Sequence, residues 1–177
     1  MSATRELFGG AITATLPTKL IDASDLRQVP DTQEVFLYPD SGVSIIVEVL
    51  QSVELTNPLD VARFHFDSLA HDNDAEKRVV EEANIIPNGT DHETPKPVVL
   101  SGIQSVRKFN KATLDEVHIL LAVYRLDDHN IDLVMSMNIP TKTEDGNAVS
   151  ETEQSASKDA FNTAAQSLRI VDFGLFA

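Results

Sequence analysis

Glu116-Val117-His118-Ile119-Leu120-Leu121-Ala122-Val123-Tyr124-Arg125-Leu126 and Ile131-Asp132-Leu133-Val134-Met135-Ser136-Met137-Asn138-Ile139 set the architecture, because only Asp127-Asp128-His129-Asn130 separates them. Four polar residues are too short a connection for anything but antiparallel neighbours. A preceding run, Val98 to Phe109, joins the first through Asn110-Lys111-Ala112-Thr113, so the three segments predict a meander.

Working outward, Gln33 to Tyr38 and Val43 to Leu50 are rich in Val, Ile and aromatics and flank Pro39-Asp40-Ser41-Gly42. That tetrapeptide carries the residues a tight turn demands, and the pair reads as a hairpin. Nearer the N-terminus, Ile12, Ala14 and Leu16 alternate with threonines up to Pro17, which predicts the first strand, half-buried. Asp22 or Ser24 offers an N-cap for a single helical turn that must stop before Pro30. Asn57-Pro58 supplies a cap with proline at the first helical position, followed by Leu59, Ala62, Phe66 and Leu69 at helical spacing. Lys77 to Ile86 fits neither period cleanly, with strand preferred to helix. Thr141 to Ser155 is polar and glycine-punctuated and predicts a mobile acidic loop. A helix from about Ser157 to Leu168 and a packed apolar tail, Ile170 to Ala177, complete the chain. The sum is an α+β protein: one domain over 1–177, with a mostly antiparallel central sheet of about six strands flanked by helices.

Composition narrows the function. With 177 residues and 42% hydrophobic content, one substantial core is expected. Lys and Arg number 14 against 28 Asp and Glu, a formal net charge of −14, which disfavours nucleic acid and suits a basic protein surface. No cysteine is present, so disulfides and zinc–thiolate sites are excluded. The N-terminus lacks a basic segment followed by an apolar stretch, and no apolar run approaches the roughly 20 residues needed to span a bilayer, so neither secretion nor membrane insertion is expected. Asn88-Gly89-Thr90 matches a glycosylation sequon, which carries no weight without a signal peptide.

Motifs for chemistry are missing. There is no G-x-x-x-x-G-K-[ST] loop, no G-x-G-x-x-G and no G-x-S-x-G elbow around Ser101 or Ser136, so nucleotide-binding and nucleophilic enzymes are poorly supported. His65, Asp67, His71, Asp72 and Asp74 form the densest ionisable cluster, but six residues put the two histidines on different helix faces, and the cluster reads as a solvated helix end, with no metal expected. His118 reads either as a buried switch or as an ordinary strand histidine. What structure alone does not demand is the segment from Asp22 to Val35, whose carboxylates sit on a loop stiffened by Pro30. Such a loop would lose little entropy on meeting a basic partner, although an exposed capped turn explains it equally well.

Here the sequence resembles the Ran guanine nucleotide release factor family. The resemblance rests on Leu7-Phe8-Gly9-Gly10-Ala11-Ile12, on Ile21-Asp22-x-Ser24-x-Leu26-Arg27-x-Val29-Pro30-Asp31-x-Gln33-Glu34-Val35, and on Ser44-Ile45-Ile46-Val47-Glu48. Weaker pieces are Phe64-His65-Phe66, Tyr124-Arg125-Leu126 with Asp132, and Phe173-Gly174-Leu175-Phe176-Ala177. The resemblance implies an α/β/α sandwich like that of a photosystem oxygen-evolving subunit, a role in nuclear import shared between nucleus and cytoplasm, and Ran as the partner. It implies release of guanine nucleotide by protein binding, without a cofactor, and a monomer is expected. Asp22, Asp25, Asp31 and Glu34 become candidate Ran-binding carboxylates. Arg27 and Gln33 are implied to shape the loop or touch Ran, and Pro30 to hold its path. A Ran-binding adaptor without exchange activity is the competing reading.

Overall fold

The structure, a computed structural model, describes residues 1–89, 93–107 and 112–177. The strands are β1 (Ser2–Leu7), β2 (Ile12–Pro17), β3 (Ile21–Asp22), β4 (Gln33–Leu37), β5 (Ser44–Gln51), β6 (Ala75–Ile85), β7 (Val98–Val106), β8 (Asp115–Leu126), β9 (Ile131–Lys142) and β10 (Arg169–Ile170). The helices are α1 (Pro58–Asp72) and α2 (Glu151–Ser167). Seven strands form an antiparallel sheet ordered β3-β4-β5-β9-β8-β7-β6, and β1-β2-β10 form a smaller one. The meander is β7-β8-β9, as expected, although Phe109, Asn110 and Lys111 lie outside the described residues.

Why β8 reads as a nearly unbroken apolar run follows from its central place. Leu120, Ala122, Tyr124 and Leu126 enter one core, while Ile119, Leu121 and Val123 enter the other. Both faces are therefore covered, and the usual polar half of a strand's alternation disappears. On one side α1 brings Val61, Ala62 and Phe66. On the other, α2 brings Phe161, Ala164 and Ala165, and the small sheet brings Leu7, Ile12, Ala14, Leu16 and Ile170. The Tyr124 hydroxyl donates to the Ala165 carbonyl, pinning α2 to the central strand. Phe173, Leu175 and Phe176 pack at the margin of this second core, where His129 stacks on Phe173 at 5.7 Å.

α1 approaches β7 through Gly102. A Cβ there would lie 2.7 Å from Phe66 Cζ and 2.6 Å from the Val79 carbonyl oxygen, so only glycine admits the ring. The outer strand β6 has register shifts between Ala75 and Lys77 and between Val80 and Glu82.

Three expectations need correction. The sheet has seven strands, not about six, and a second sheet accompanies it. β1 escaped the sequence reading because Ser2–Leu7 is an edge strand with only Leu7 fully buried, while β3 and β10 have two residues each and carry no readable period. The acidic loop expected over 141–155 contracts to 143–150, since β9 runs through Lys142 and α2 begins at Glu151. Ser150 caps that helix, its Oγ accepting from the Glu153 N–H at 3.2 Å; a polar first turn concealed a capping signal. No helix among the described residues is long and apolar enough to cross a membrane.

Candidate functional site

The segment from Asp22 to Thr32 crosses the β3–β4 end of the large sheet, held at both of its ends. Asp22 Oδ1 accepts from the Ser24 N–H at 2.9 Å and the Ser24 hydroxyl at 2.7 Å, capping a 3-10 turn over Ala23–Asp25. Ala23 is fully buried, and its carbonyl accepts the N–H groups of Leu26 (3.0 Å) and Arg27 (2.9 Å). At the far end the Gln33 N–H donates to Pro30 (3.0 Å) and the Val49 N–H to Thr32 (2.9 Å). Between these points Asp25, Leu26, Arg27, Gln28, Pro30 and Asp31 face solvent.

Gln33 and Glu34 belong to β4, and the pleat sends them to opposite sides. Gln33 opposes Glu48 on β5, its amide donating to the Glu48 carboxylate. Together with His65, Ser68 and Asp72 of α1 they line a cleft of about 220 Å³. Glu34 turns the other way, and its Oε1 accepts the Phe8 N–H at 2.7 Å. Phe8 has φ of 53° in a turn completed by Gly9 (67°) and Gly10 (94°), a conformation costly for a bulky residue unless its surroundings fix it. Of the seven candidates, then, Asp25, Arg27, Pro30 and Asp31 are exposed along one loop, Gln33 lines the cleft with Glu48, Asp22 is spent on the cap, and Glu34 fastens the N-terminal turn. Glu48 entered the sequence reading only as part of the Ser44–Glu48 stretch and not as a site residue, although the hairpin register set by the Pro39–Gly42 turn was enough to place it opposite Gln33.

His65 is also corrected. It is no solvated helix end: it is 7% exposed, with Nε2 2.9 Å from Asp132 Oδ2. His71, by contrast, is exposed. The fully buried Asp132 accepts the Val53 N–H at 3.2 Å and pairs with Arg125 Nε at 3.1 Å. The Arg125 guanidinium donates in turn to the carbonyls of Val53 and Leu55. Buried charges need this density of partners, and the result fixes the β5–α1 connection and holds His65, which lines the cleft beside Glu48.

This arrangement offers two exposed carboxylates, Asp25 and Asp31, on a loop hydrogen-bonded at both ends, and no nucleophile–base pair among the site residues described above. It suits recognition of a basic surface. A sequence model of the family described as Ran-interacting Mog1 protein matches residues 5–140. The chain belongs to that family. Among Mog1 relatives, the Danio rerio Ran guanine nucleotide release factor is 36% identical, over 97% of this chain and 98% of its own. The nuclear import protein mog1 of Schizosaccharomyces pombe is 38% identical, over 76% and 75% respectively. The crystal structure of the Saccharomyces cerevisiae Ran-binding protein Mog1p superposes with a TM-score of 0.77 at 28% identity, covering 100% of this chain and 99% of that one. The Mog1 family model spans the Asp22–Thr32 loop, Glu48 and the Arg125–Asp132–His65 group together.

Proposed function

We propose that this Mog1-family chain binds the GTPase Ran through the exposed loop carrying Asp25, Arg27 and Asp31 and the adjoining Gln33–Glu48 cleft, and that binding promotes release of Ran's guanine nucleotide in support of nuclear import. The observation that carries the reading is the exposed loop with Asp25 and Asp31, hydrogen-bonded at both ends, in a chain of net charge −14 whose relatives are named for Ran. A GTPase holds its nucleotide through magnesium and a P-loop lysine. A partner presenting carboxylates stabilises a state in which those cations are less available to phosphate, and no covalent step is required. Linkage then demands reciprocity: nucleotide weakens the factor's hold on Ran by the same ratio by which the factor weakens nucleotide. The protein is a binding regulator, working as a monomer in nucleus and cytoplasm. Asp22, Pro30 and Glu34 act by positioning, Asp25, Arg27, Asp31 and Gln33 by contact.

The test is the rate at which fluorescent GDP or GTP leaves purified Ran as the protein is added. Acceleration by the native chain, lost by about tenfold or more in an Asp25→Lys, Asp31→Lys variant, is expected for two reversed charges in one contact. Glu34 is left intact because its loss would disturb the Phe8 turn. Binding without acceleration would make the protein an adaptor, and absence of binding would reduce the family likeness to one of fold.

A further inference from the structure

Leu26 is 68% exposed, more than any other large apolar side chain among the described residues except Met1. A solitary surface leucine is ordinary. This one stands on a turn whose backbone is fixed by the Asp22 cap and by two hydrogen bonds to the buried Ala23; exposed Asp25 and Arg27 adjoin it in sequence, exposed Asp31 follows on the same loop, and Ile21 is 36% exposed at the loop's base. An apolar side chain on a hydrogen-bonded turn between two exposed charged residues has the make-up of an interface anchor: little ordering entropy is lost on docking, and polar contacts beside it exclude water once the partner arrives.

We infer that Leu26 is the apolar anchor of the Ran contact, seated in an apolar recess on Ran bordered by basic groups. The inference rests on the Ran-binding reading above and adds a division of labour to it. The carboxylates steer the encounter and set the association rate, whereas Leu26 sets how long the complex lasts.

Association and dissociation rates with purified Ran, measured over a series of salt concentrations, test this on the full chain. Leu26→Ala is expected to raise the dissociation rate about tenfold, with the salt dependence of association unchanged, while Leu26→Met, which keeps the apolar volume, stays within about threefold of the native chain. The melting temperature should not move, since the side chain packs against little, and this separates loss of an anchor from loss of fold. An unchanged dissociation rate in Leu26→Ala, alongside slowed association in Asp31→Lys, would overturn the anchor and leave the Ran reading standing. Failure of the native chain to bind Ran at all would overturn the reading and the anchor with it.

Discussion

His118 lies on β8 with Nε2 3.2 Å from the Glu81 carboxylate of β6, and its environment opposes protonation. Burial is the larger cause, the nearby Lys158 charge adds to it, and Glu81 works against both, leaving the pKa below the ordinary value of 6.5. A histidine whose folded pKa is lowered contributes nothing to pH dependence well above 6.5, where it is neutral in both states. As pH falls below about 6.5 the unfolded chain binds the proton first, so stability declines until the folded pKa is passed. Replacement by glutamine should therefore narrow the difference between melting temperatures at about pH 7.5 and about pH 5.5 relative to the native chain. An equal difference in the two would mean His118 titrates alike folded and unfolded.

Between elements, the contact of α1 with β7 is the most exacting. Gly102→Ala would drive a methyl into Phe66 and the Val79 carbonyl, and neither a packed ring nor a backbone oxygen yields easily. A loss of about 1–3 kcal/mol is expected, read as a lower urea midpoint at unchanged slope. The elements visible from sequence were those with punctuation. Pro39–Gly42 and Asp127–Asn130 mark turns by residue type, and Asn57-Pro58 marks a helix start, so the hairpin, the meander and α1 were legible. β1 was not, because an exposed edge strand needs no apolar alternation. Nor was the start of α2, where Glu151, Thr152, Glu153 and Gln154 look like loop until Ser150 is recognised as a cap. Within the site, spacing along the chain singled out the carboxylates but not their directions. Gln33 and Glu34 are neighbours in sequence and sit on opposite faces of a sheet, and the partner that holds Glu34 is a backbone amide 26 residues away. His65 met the same difficulty, since its partner Asp132 lies 67 residues further on.

For the molecule as a whole, a net charge of −14 acts at distances beyond any single contact. Association with Ran should slow by at least about tenfold between roughly 50 mM and 500 mM salt, as expected for an electrostatically steered encounter. A rate indifferent to salt would confine the charge to keeping the protein in solution. An open sheet of seven strands raises a separate problem, because β6 leaves an eleven-residue outer edge on which Val79 is 60% exposed. Straight, unpaired edges recruit further strands, from other copies as readily as from a partner. The two register shifts in β6 break the regular spacing along that edge, and the strand is rich in charge, with Glu76, Lys77, Arg78, Glu81 and Glu82, a composition that disfavours pairing with a further strand. The same irregularity that looks like imperfect pairing with β7 is thus of the kind that opposes edge-to-edge growth of an unclosed sheet.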